Sequence, residues 1–71
     1  MKKIGYVTRL DIDGELRIRE QDAPNSPIVF EGKFKAACKD CLKFAFRMVE
    51  PVEVTIEDGV VVRCHNVPTP E

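Results

Sequence analysis

The chain predicts an α+β domain: an antiparallel sheet of about five strands in the order β-β-β-α-β-β, with one amphipathic helix packed on one face. Three observations predict it. Asp13-Gly14 and Asp58-Gly59 each lie between alternating apolar and polar residues, a hairpin signal. Residues 33–49 repeat their apolar side chains at helical spacing. Pro51 ends that stretch, because the residue before a proline avoids helical geometry.

The first strand, Lys3 to Leu10, alternates with Ile4, Tyr6, Thr8 and Leu10 on one side. Leu16 and Ile18 alternate with Arg17 and Arg19 in the second. A two-residue turn at Asp13-Gly14 would set Asp11 against Leu16 and Arg9 against Ile18, mixing charge with apolar groups. A three-residue loop with Gly14 left-handed pairs Leu10 with Leu16 and Thr8 with Ile18, so this register is expected. The stretch QDAPNSP is a loop, with two prolines among Asn, Ser and Asp.

Residues 27–31 are ambiguous. Ser26 and Pro27 could cap and open a helix, whereas Ile28, Val29 and Phe30 favour a strand. The strand is the preferred reading, with Gly32 separating it from the helix. Near the C-terminus a three-residue loop at Glu57-Asp58-Gly59 pairs Ile56 with Val60, Val54 with Val62 and Val52 with Cys64. Glu53, Thr55, Val61, Arg63 and His65 then face the other way.

On a helical projection of residues 33–49, Phe34, Ala37, Cys38, Cys41, Leu42, Ala45, Met48 and Val49 share one arc. Lys33, Lys35, Lys39, Asp40, Lys43 and Arg47 fill the opposite one. The expected core joins the inner part of that arc to Ile4, Tyr6, Leu10, Leu16, Ile18, Phe30, Val52, Val54, Ile56, Val60 and Val62. The other sheet face, carrying Val7, Val29 and Val61, is left for solvent or a partner. A monomer or a homodimer through the open sheet face is therefore expected.

Seventy-one residues make one domain, expected over 1–66, with a proline-rich flexible tail at 67–71. A chain this short buries only about 60% of its unfolded surface, leaving little room for a deep pocket. The apolar fraction of 44% argues against disorder. No stretch resembles a secretory signal or a membrane span. Three cysteines, an odd number, do not make a disulfide scaffold, so a reduced, cytoplasmic protein is expected.

The net charge of -1 selects no partner, but the charge is unevenly placed. Lys33, Lys35, Lys39, Lys43 and Arg47 face a single acid, Asp40, a local charge of +4 that leaves -5 on the remainder. Lys35, Lys39, Lys43 and Arg47 recur at four-residue spacing and form a ridge on a helix. Phe46 falls beside them. An aromatic ring among cations is what a single-stranded nucleic acid could use, with an acidic protein surface as the other partner. The plain alternative is a solvated lysine face, with Phe46 tucked under the 21–27 loop.

Cys38-x-x-Cys41 raises metal and redox chemistry. Redox pairs exploit a helix N-terminus, whereas Cys38 is expected more than a turn inside and among apolar neighbours. A zinc site would add Cys64 and His65, but consecutive strand residues point to opposite faces. Cys38, Cys41 and Cys64 remain as an alternative set of metal–thiolate ligands, with core cysteines the preferred reading and no cofactor expected. His65 is expected as an exposed strand residue. Asp11, Asp13 and Glu15 suit turn chemistry and lack the ligand number of a calcium loop. No nucleophile–base or acid–base pair can be assembled, which points away from an enzyme and toward a small binding module.

Overall fold

A computed structural model describes residues 1–11 and 13–67. Strands β1 (Lys2–Leu10), β2 (Glu15–Arg19) and β3 (Ile28–Phe34) lead into a 3₁₀ turn, Ala36–Cys38. Helix α1 (Lys39–Met48) and strands β4 (Val52–Glu57) and β5 (Val60–Asn66) follow. The element order is the expected one, and the α+β class holds. The sheet, however, closes into a barrel in the order β1-β2-β3-β5-β4.

Closure corrects the expected sheet. The sheet is not wholly antiparallel, because β3 and β5 run parallel where Lys33 and Phe34 meet Val60 and Val61. Joining the sheet's two edges turns the open face expected of a flat sheet into the outer wall of the barrel. Val7 and Val61, assigned to that face from the sequence, lie in the core with Leu16, Ile18, Cys38, Leu42, Ala45, Val52, Val54 and Ile56. Val29 packs against it, as do Leu10, Phe30 and Phe34.

A bulge decides the β1 face. Leu10 pairs with Leu16, as expected, and Gly14 is left-handed with φ 88°. The register then shifts at Thr8, so that Val7, not Thr8, opposes Ile18. One extra residue exchanges the two faces of the strand beyond it. Val7 turns inward, Tyr6 moves to the outer wall opposite Arg19, and Ile4 is left 54% exposed.

The β4–β5 turn is tighter than expected. Asp58 and Gly59 both have positive φ, 53° and 74°, which suits a two-residue turn matched to strand twist. Glu57 therefore pairs with Val60 and Ile56 with Val61. A shift between Thr55 and Ile56 then brings Cys64 opposite Val54. Val60 and Val62 are only partly buried in consequence.

The helix is shorter than the 33–49 span. Lys33 and Phe34 still belong to β3, so residues 27–31 resolve as strand from Ile28 onward and Gly32 lies within it. The buried helical stripe is narrow, formed by Cys38, Leu42 and Ala45 at helical spacing. Met48 and Val49 fall outside it and are exposed. The helix ends on Val49, a left-handed residue with φ 54°, whose N–H donates to the Ala45 carbonyl. Of the expected tail, Val67 donates its N–H to the Pro51 carbonyl at 3.1 Å, and residues 68–71 lie outside the described residues. Among the described residues no helix is long and apolar enough to cross a membrane.

Candidate functional site

The amphipathic pattern of α1 turns one face into the barrel and leaves the basic ridge outside. Lys39, Lys43 and Arg47 lie one helical turn apart on the exposed side. Opposite them runs the end of β1. Together with Phe46, these three cations line a groove of about 250 Å³ whose other walls are Leu10, Asp11 and Phe34. Four of the five residues singled out from the sequence thus converge. The fifth, Lys35, is exposed but sits in the link between β3 and the 3₁₀ turn, where its N–H donates to the Val61 carbonyl.

Phe46 is 42% exposed and lies beside Leu10 and Phe34, so it is not tucked under the 21–27 loop. Leu10, Asp11 and Phe34 are the groove residues that the sequence pattern did not single out, and Phe34 is the aromatic one. Its place in the apolar arc of an over-long helix assigned it to the core, whereas it stands half-buried at the end of β3. The signal available was Gly32-Lys33-Phe34 continuing the strand alternation.

Electrostatically the ridge is uncommitted. Among the described residues, Lys35, Lys39, Lys43 and Arg47 form no ion pair. The acid in the groove wall, Asp11, is engaged by Arg9 at 3.1 Å. A second cationic surface lies on the outer wall of β1 and β2, where Arg9, Arg17 and Arg19 gather beside Thr8. Those arginines are already engaged. Arg17 is paired with Glu31, and the Arg19 guanidinium donates to the Ser26 carbonyl at 2.6 Å. Ser26 in turn is buried with its Oγ accepting from the Gln21 N–H at 2.8 Å, so it organises the 21–27 loop and caps no helix.

The cysteines separate into one and two. Cys38 is 4% exposed and its Sγ is directed to the Val61 carbonyl at 3.8 Å. It stands at the N-terminal boundary of α1, not a turn inside as expected, because the helix begins at Lys39. Burial nevertheless pushes its thiol pKa up, reinforced by neighbouring Cys41 and opposed by Lys35. Cys41 and Cys64 meet, with 2.7 Å between their sulfur atoms. Burial raises the Cys64 pKa strongly, and the hydrogen bond to Cys41 adds to the effect. Among the described residues no group of three His, Cys, Asp or Glu side chains is placed to hold a metal ion.

His65 is exposed and pairs across the ladder with Glu53 at 3.3 Å. Asp11 accepts the Gly14 N–H through its backbone carbonyl, which is turn chemistry. Comparison with known protein families, with curated proteins and with solved structures finds no match to this chain.

Proposed function

We propose that this protein is a small, non-catalytic binding module that takes a single-stranded nucleic acid along the groove between α1 and the end of β1. One observation carries the reading: Phe46 and Phe34 line a groove whose rim cations, Lys39, Lys43 and Arg47, have no ion-pair partner among the described residues. Aromatic faces accept any base, and unpaired ammonium and guanidinium groups accept phosphates. The groove is too small to enclose a drug-sized ligand, which suits a polymer lying across it.

The connectivity supports the reading by analogy. A five-stranded barrel closing 1-2-3-5-4, with its helix between the third and fourth strands, is the arrangement of the OB-type barrel. Such barrels bind oligonucleotides and oligosaccharides through strands two and three and the loops beside them, including the one between strands one and two. Leu10 and Asp11 open that loop here. Fold alone does not specify function, so the weight rests on the groove.

Fluorescence anisotropy with a labelled oligothymidylate tests the proposal. Binding should weaken as salt rises, with a logarithmic slope near -0.7 for each phosphate engaged, or roughly -2 to -3 for this ridge. Lys39→Glu with Lys43→Glu should abolish it, while Lys2→Glu with Lys3→Glu, an equal change in net charge, should not. Absence of binding at low salt, or equal loss in both variants, refutes a site at this groove. An acidic peptide that binds where the oligonucleotide does not would transfer the groove to a protein partner.

A further inference from the structure

We propose that Cys41 and Cys64 form a reversible disulfide that ties α1 to β5. The two residues are 23 apart in sequence and come from different elements, yet their sulfur atoms stand 2.7 Å apart. A disulfide bond is about 2.05 Å long, so closure requires an approach of only about 0.7 Å. Both side chains are partly exposed, which admits a small oxidant. The Cys41 sulfur also approaches the Asn66 side-chain oxygen at 3.9 Å on the exposed side. The third cysteine does not compete: Cys38 is buried, with its sulfur aimed at the Val61 carbonyl. The odd cysteine count thus divides into a bridging pair and one core residue.

The oxidant is a hydroperoxide. Cys41 Sγ attacks the terminal peroxide oxygen, the O–O bond breaks, the remaining fragment leaves as alcohol or water, and Cys41 becomes a sulfenic acid. Cys64 Sγ then displaces the sulfenic hydroxyl, which leaves as water with the Cys64 proton. Two thiols and one hydroperoxide give one disulfide, one alcohol (or water) and one water. Each sulfur loses one electron and the peroxide gains two. A thiol reductant reverses the bond by exchange. The proposal is independent of what the groove binds.

The test uses the intact reduced protein, treated with hydrogen peroxide, blocked with a maleimide in denaturant and mapped by mass spectrometry. One maleimide, on Cys38, and a linked peptide pair holding Cys41 and Cys64 are expected, with dithiothreitol restoring all three sites. The oxidised protein should melt at a higher temperature than the reduced one, and a Cys64→Ser variant should show no such rise. Three reactive thiols after oxidation, a bridge that includes Cys38, linkage only between chains, or sulfinic acid on Cys41 beside a free Cys64 would each overturn the assignment. So would a bridged chain that melts no higher than its reduced form.

Discussion

A β-carbon added to Gly5 would lie 2.5 Å from the carbonyl oxygen of Arg19 and 2.7 Å from Ile18 Cγ2. Gly5 is where β1 changes partners: residues 2–5 pair with β4, and residues 6–10 pair with β2. The backbones approach there because the barrel turns a corner, and glycine permits it. Gly5→Ala should therefore destabilise the fold by about 1–3 kcal/mol or more. Urea denaturation measures this, and an unchanged midpoint would show that the corner relaxes freely.

Val49 holds a left-handed backbone despite its branched side chain, and it is 53% exposed. Such a conformation costs about 1–2 kcal/mol in a residue with a β-carbon. Val49→Gly should stabilise the protein by roughly 0.5–1 kcal/mol, because relief of strain outweighs the added freedom of the unfolded chain. Val49→Ala keeps a β-carbon and should give little. Equal behaviour of the two variants in thermal unfolding would remove strain as the cause.

Leu42 is fully buried and is the helix's largest side chain in the core. Leu42→Ala should cost about 2–5 kcal/mol. A domain of this length has a total stability of about 4–10 kcal/mol, so the variant should lose a large fraction of it, read as a lowered urea midpoint by circular dichroism. A loss below about 1 kcal/mol would show that the helix contributes little to the barrel's closure.

Burial holds the Cys38 and Cys64 thiols neutral beyond the pH at which an ordinary thiol ionises. The unfolded chain releases these protons above about pH 8.5. It then binds fewer protons than the folded chain, so stability falls as pH rises. Under reducing conditions the urea midpoint should be level below about pH 8 and decline through pH 8–9.5. Cys64→Ser should flatten that decline, and an equally steep fall in the variant would assign it to other groups.

The proposed groove separates two contributions. Phe46→Ala should weaken oligonucleotide binding by about 1–3 kcal/mol with the salt slope unchanged, because stacking carries no counterions. Lys43→Glu should weaken binding and lower the slope, since one phosphate contact is lost. A slope that changes with Phe46 instead would place the ring outside the binding path. The folded state should tolerate both changes, as both side chains are exposed.

Several features were legible in local sequence. Gly14 and Gly59 marked turns because only a left-handed residue closes them cheaply. Leu10 against Leu16, and Cys38, Leu42 and Ala45 in one buried stripe, followed from periodicity. The ridge of Lys39, Lys43 and Arg47 did too. Val7 was misplaced because alternation assumes an unbroken period of two and the bulge at Thr8 breaks it, and Val61 because the turn at Asp58-Gly59 has two residues where three were expected, which sets it opposite Ile56. The start of the helix was misplaced because Lys33 and Phe34 suit either period.

By itself the sequence determined the element types and their order, the places of the turns, and which helix face meets water, since each depends on neighbours within a few residues. Tertiary structure decided the rest. The parallel meeting of β3 with β5 closed the barrel, Gly5 allowed its corner, and closure carried Phe34 to Phe46 and Cys64 to Cys41. These pairings join residues 12 and 23 positions apart. Local spacing carries no information about such contacts, because they form only when the whole sheet has coiled upon itself.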